Sequence, residues 1–314
     1  ILFGAMHDFL GGWISLENDG QSLPEIIGKY LRAGVKQVMR LFTVCLMVLV
    51  GAVFLLGPAG LLAGMTPSIS LQWWIAIILI YYILATLLPV DKIIGRIYPL
   101  FGAALMFMAL GLLGVLIFGD YSIPELTSLH NFKADAEDFP IVPTLFITIA
   151  CGAISGFHAT QSPMMARCLT DQKQCRPVFF GAMITESLIA LIWAAIAMAF
   201  FGGVEALGTA LAEHGNNASW AVKLIADTTL GRVGGILAVL GVIAAPITSG
   251  DTALRSARLI VADFLHIEQK SLAKRLAISL PLFVVGFIIT LVDFDVVWRY
   301  FAWFNQTLAV FTLW

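Results

Sequence analysis

Charge is what this sequence has least of. Asp, Glu, Lys and Arg make up 12% of its 314 residues, against 60% apolar ones, about half the charged share of an ordinary soluble domain. So few charges cannot cover a water-soluble globule of this length, and the mean hydropathy of +0.92 agrees. A cytosolic enzyme and a disordered chain are thereby excluded. A net charge of −2 with 18 basic residues offers no phosphate-binding face, which excludes nucleic acid as a partner. Cysteine is equally sparse: Cys45, Cys151, Cys168 and Cys175 form no CxxC pair and no regular framework, so neither a disulfide scaffold nor a metal site is expected. HExxH, GxSxG, Walker A and GxGxxG patterns are missing, and with them the protease, hydrolase, ATPase and dinucleotide readings. No catalytic residue is assigned, and an enzyme is not expected. A TVGYG-like filter is missing too, which argues against a potassium channel. There is no initiator Met and no signal peptide, and the chain opens and stops inside apolar runs. One transmembrane domain over 1–314, truncated at both ends, is the expectation.

What the sequence has in quantity is apolar runs near the 20 residues that a bilayer-crossing helix needs. They fall at 1–14, 41–64, 73–89, 97–118, 141–159, 178–201, 233–250, 277–292 and 300–314, so an all-α polytopic membrane protein with about nine crossings is expected. If every run crosses, the loops alternate sides. The set 15–40, 90–96, 160–177 and 251–276 holds 14 Lys and Arg, whereas 65–72, 119–140, 202–232 and 293–299 together hold only Lys133, Lys223, Arg232 and Arg299. The positive-inside rule puts the first set in the cytoplasm. Within 24–40, Lys29, Arg32, Lys36 and Arg40 recur at helical spacing, which suits either a helix on anionic headgroups or an ordinary connector. Segment 119–140 is acidic (Asp120, Glu125, Asp135, Glu137, Asp138) and reads as an external loop. Trp220–Leu230 reads as a short external helix.

Inside the nine runs the only ionisable residues are His7, Asp8, His158 and Glu186. Run 141–159 passes into Cys151–Gly152–Ala153–Ile154–Ser155–Gly156–Phe157–His158–Ala159–Thr160–Gln161–Ser162–Pro163, a poor continuous helix because Gly costs about 1 and Pro about 3 kcal/mol in a helix interior. One reading is a discontinuous helix whose freed backbone groups, with Ser155, Gly156, His158, Thr160 and Gln161, line a solute cavity. The other is close packing of Gly152 and Gly156 on a neighbour, with a plain helix end at Thr160. Run 233–250 ends in Pro246–Ile247–Thr248–Ser249–Gly250–Asp251. Thr248, Ser249 and Asp251 are candidate cation contacts beside a proline kink, or else Ser249 or Asp251 caps a second helix, with Asp251 and Arg255 paired. Glu186 is either a proton site or a neutral structural hydrogen-bonder. His7 and Asp8 are either relay members or packing residues. Many crossings, interrupted helices and few intramembrane charges point to a secondary transporter.

The same residues carry a family likeness. Gly4–Ala5–Met6–His7–Asp8–Phe9, Ser22–Leu23–Pro24–Glu25–Ile26, the stretch Ile154–Pro163, Val242–Thr252 and Tyr300–Phe301–Ala302–Trp303–Phe304–Asn305–Gln306 resemble the CstA carbon-starvation family along essentially the whole chain. The resemblance implies a multi-pass protein of the bacterial inner membrane that takes up small peptides, or alternatively pyruvate, with an H⁺ or Na⁺ gradient and no cofactor. It also implies a LeuT-like, APC-type core of two inverted five-helix repeats lacking its first helix. In that scheme 141–159 is the second repeat's broken helix, and Thr248 and Ser249 lie on the helix that meets sodium in some related transporters. Arg255 and Arg258 match the family pattern and are expected on the cytoplasmic surface. Two other readings remain: a membrane nutrient sensor without flux, and a metalloenzyme using His7, Asp8, His158 and Glu186. Partners are thus the lipid bilayer and a small solute, and the sequence leaves the oligomeric state open.

Overall fold

The computed structural model describes residues 1–87, 90–123, 131, 137, 140–150, 152, 154–214 and 218–313. The expectations placed on Cys151 and on Glu125, Lys133, Asp135 and Asp138 fall outside them. The described residues are helical with no strand. They form α1 (Leu2–Glu17), α2 (Leu23–Tyr30), α3 (Ala33–Met65), α4 (Leu71–Leu87), α5 (Val90–Phe118), α6 (Ile141–Ala150), α7 (Gly156–Ala166), α8 (Ala182–Phe201), α9 (Val204–Glu213), α10 (Ala218–Phe264), α11 (Leu272–Ile289) and α12 (Phe294–Leu313). A π-helical turn at Arg176–Gly181 leads directly into α8.

Among the described residues, five helices are long and apolar enough to cross a bilayer: Ala33–Met65, Tyr98–Phe118, Gln172–Phe201, Gly234–Phe264 and Leu272–Ile289. These match five of the nine expected crossings, and the expected run 73–89 falls on α4, a shorter apolar helix. The 141–159 run is divided into two short helices, and α1 has 16 residues. Lipid accounts for what the molecule leaves uncovered: Phe118 is 88% exposed and Leu291 70%, on a chain too poor in charge for those faces to meet water.

Helices α3 and α10 form the centre. Between apolar helices in lipid the hydrophobic effect gives little attraction, so close contact between small residues has to supply it. Gly51 of α3 does this: a Cβ there would lie 2.7 Å from Cγ of Leu254 on α10. Around the pair, Leu23 and Ile27 of α2, Ala159 of α7, Ala253 and Ala257 of α10, and Val297, Phe301 and Leu308 of α12 close one core against Met39–Val53 of α3. A second core joins Leu55 and Ala59 to Ile75, Ile78 and Tyr82 of α4 and Phe283 of α11.

The 24–40 segment is not one helix. Pro24 starts α2, as its fixed φ favours, but the chain breaks at Leu31–Arg32 and restarts as α3. Lys36 and Arg40 then turn back onto Glu25, and Lys29 donates to Asn18 Oδ1. Three of the four cations are thus engaged by protein groups instead of forming a headgroup-facing stripe. Burial pushes the Glu25 carboxyl up, but its hydrogen bonds from Lys36 and Arg40 outweigh this and hold it below the ordinary 4.5.

In α10 the backbone leaves helical geometry at Gly231, whose φ of 66° and ψ of −174° suit glycine almost alone. The external helix expected at Trp220–Leu230 is the part of α10 that precedes this kink. Beyond it α10 runs through Pro246 to Phe264, so neither Ser249 nor Asp251 caps a new helix.

Candidate functional site

Helix α6 stops at Ala150 and α7 starts at Gly156, so the backbone is interrupted where glycine and serine cluster. Gly152 N–H closes the last turn onto Ile149 O at 3.2 Å. Ser155 is extended and caps α7: its hydroxyl accepts from His158 N–H at 3.4 Å. A side chain from α12 completes the cap. Asn305 Oδ1 accepts from Phe157 N–H at 2.8 Å and from the Ser155 hydroxyl at 3.2 Å, meeting backbone donors that a helix start leaves without partners. At Gly156 a Cβ would stand 2.5 Å from the Asn305 carbonyl oxygen, so only glycine lets α7 and α12 approach this closely. Ser155 and Gly156 are consequently buried against α12 and not on an open face. Asn305, unassigned from sequence, holds the interruption.

Three residues beyond the Ser155 cap, His158 meets the other ionisable groups of the apolar runs. Its Nδ1 lies 3.0 Å from Asp8 Oδ2, while Asp8 Oδ1 lies 3.0 Å from His7 Nδ1. On the far side, His158 Nε2 stands 3.8 Å from Glu186 Oε1. All four ionisable groups expected inside the apolar runs therefore form one string across α1, α7 and α8. Side-chain exposure rises along it, from 1% at His7 through 10% at Asp8 and 16% at His158 to 54% at Glu186. Among the described residues no three His, Cys, Asp or Glu side chains group as a metal site would require.

Thr160 and Gln161 face α3 and α10. Gln161 Nε2 donates to Ser256 Oγ at 2.9 Å, and the single Ser256 O–H has Thr252 O and Met164 Sδ as alternative acceptors, each at 2.8 Å. Thr160 donates to Phe157 O at 2.7 Å and lies 3.4 Å from Met47 Sδ. Below them a narrow cleft between α2, α7 and α10 is lined by Pro24, Thr160, Met164, Arg167, Ser256 and Asp263. The α10 hydroxyl that α7 reaches is Ser256, about two turns beyond Ser249. Thr248 instead donates to Ala245 O at 2.9 Å, and Ser249 is half-buried. Asp251 is buried and paired with Arg255 at 2.8 Å, as the i,i+4 spacing predicts. Arg258, expected at the surface, is buried. Thr248, Ser249 and Asp251 are therefore not brought to the α7 interruption.

Three buried side-chain atoms at the interruption have no hydrogen-bond partner among the described residues: Gln161 Oε1, Asn305 Nδ2 and His7 Nε2. Each belongs to α7 or to a side chain tied to α7 through one or two hydrogen bonds.

The family model described as carbon starvation protein CstA matches residues 61–293. An uncharacterized membrane protein of Haemophilus influenzae is 39% identical over 261 residues, which cover 67% of this chain and 70% of that protein. The Helicobacter pylori peptide transporter CstA is 33% identical over 131 residues, 39% of this chain but 18% of the relative. The Escherichia coli pyruvate/proton symporter BtsT is 33% identical over 110 residues, 35% of this chain and 13% of the relative.

Proposed function

This chain belongs to the CstA carbon-starvation family, and from that premise we propose that it is the core of a secondary transporter of the bacterial inner membrane. Its solute is a small peptide, taken up with a cation gradient and met by His158, Thr160 and Gln161, while Ser155, Gly156 and Asn305 hold the helix interruption. The named relatives are a peptide transporter and a pyruvate/proton symporter, which supports solute movement over catalysis.

The observation that carries this reading is the trio of unpartnered buried polar atoms around α7. A buried polar group left without a partner costs about 1–3 kcal/mol, and a solute offering both a donor and an acceptor would recover that. Gln161 Oε1 accepts and Asn305 Nδ2 donates, so a peptide, with its amide N–H and its carboxylate, suits both. Pyruvate offers acceptors only and suits Asn305 alone. Pyruvate nevertheless remains the second reading, because a relative carries that name.

The test is uptake of labelled Ala-Ala and of labelled pyruvate by proteoliposomes holding the full-length protein. Gln161→Ala should reduce Ala-Ala uptake by about 5- to 150-fold, the equivalent of leaving one buried polar group of the peptide without a partner, and affect pyruvate less. Unchanged Ala-Ala uptake at normal reconstitution would remove Gln161 from the site. Solute binding without any flux in the unmodified protein would favour a sensor instead.

A further inference from the structure

From the juxtaposition of Asp8, His158 and Glu186 we infer where a coupling proton, the ion in one relative's name, would bind in this chain: on the His158 imidazole between two carboxylates. The inference rests on the transporter reading and specifies where its ion sits. Asp8 Oδ2 accepts from His158 Nδ1, which leaves the Nε2 lone pair directed towards Glu186. Glu186, the most exposed member of the string, takes up a proton from hydronium when the alternating cycle opens the site to an aqueous side, and gives it to Nε2. The carboxyl O–H bond breaks, an N–H bond forms, and Glu186 returns to carboxylate. The resulting imidazolium is flanked by Asp8 and Glu186, with Asp8 held in turn by His7.

The gap at Glu186 separates loaded from unloaded. At 3.8 Å it exceeds hydrogen-bonding range, and closing it by about 1 Å makes a charge-assisted bond. Protonation therefore ties α8 to α7 and tightens α7 on α1. Because His158 and Gln161 are three residues apart on one helix, the same movement orders the solute contacts. That supplies the differential contact between two states that coupling requires.

Among the described residues, charged groups on α7 and on the elements packed against it engage other partners: Arg167 donates to Gly20 O, Asp251 pairs with Arg255 on α10, and Lys36 and Arg40 of α3 pair with Glu25. Of the elements packed on α1, α7 contributes His158 and α8 contributes Glu186. Glu25 and Lys29 of α2 are engaged with Lys36, Arg40 and Asn18, and Arg176 begins the π-helical turn. On the elements packed against α8, Glu205 of α9 follows that helix's opposite end, and Lys223 and Asp227 of α10 pair with each other.

The experiment compares uptake driven by a pH gradient with solute exchange at equal pH, using labelled Ala-Ala and pyruvate and the full-length protein. For Glu186→Gln the ratio of driven uptake to exchange should fall by about 5- to 150-fold, the usual span of a coupling free energy. A ratio equal to that of the unmodified protein, or driving by a sodium gradient instead of a pH gradient, overturns the proton site while leaving the transporter reading intact. Absence of exchange for both solutes in the unmodified protein overturns the transporter reading itself. A second measurement needs no flux: ¹⁵N-histidine NMR of the purified protein should show the protonation midpoint of His158 Nε2 moving down in Glu186→Gln and further down in Asp8→Asn. A midpoint indifferent to both changes contradicts the proposal.

Discussion

Asn305 joins α12 to the start of α7 through both its side chain and its backbone. Its carbonyl oxygen stands in for the helical turn that α7 lacks, and its backbone oxygen sets the closeness that Gly156 permits. Asn305→Ala removes the acceptor from Phe157 N–H and Ser155 and should destabilise the protein by about 1–3 kcal/mol. Asn305→Asp keeps the acceptor and should lose less, and thermal unfolding of the purified full-length protein compares the two. Counting ionisable groups along the apolar runs was enough to single out His7, Asp8, His158 and Glu186. Such a count passes over a neutral amide, so Asn305 and Ser256 went unassigned although Asn305 lies inside a recognisable motif. What periodicity cannot provide is that Asp8 and His158, 150 residues apart, share a hydrogen bond.

The interruption between α6 and α7 was legible at the level of elements because its cause is local: Gly152, Ser155 and Gly156 disfavour helix whatever surrounds them. A proline removes one N–H and strains one turn, and α10, packed along α3, continues as helix through Pro246. The discontinuity inside α10 sits at Gly231, between the helix expected at Trp220–Leu230 and the run expected from 233, where Asp227, Thr228, Thr229 and Arg232 interrupt the apolar pattern. Its dihedral angles place it where a side chain costs about 1–3 kcal/mol. Gly231→Ala should therefore lower stability by that amount, read as a loss in the thermal unfolding midpoint. No change would show that α10 straightens at no cost. In the 24–40 segment the cations do follow helical spacing, but Glu25 draws Lys36 and Arg40 back across a break between two helices, which suits the connector better than the headgroup-facing helix.

At the scale of the whole molecule, composition determined the class, since a chain this poor in charge has to sit in lipid. It did not determine how many helices cross, because hydropathy registers apolar length and not whether the backbone continues. The arrangement around α3 and α10 brings α1, α7 and α8 together at His158, so that a solute contact and a titratable string lie on one short helix. Solute and proton should therefore enter together. Proteoliposomes loaded with a pH-sensitive dye and containing the full-length protein measure this directly. Adding Ala-Ala or pyruvate should acidify the lumen beyond the change in protein-free vesicles, and His158→Ala should abolish that excess. Solute entry with the lumen pH unmoved would mean that the meeting of α1, α7 and α8 carries no proton.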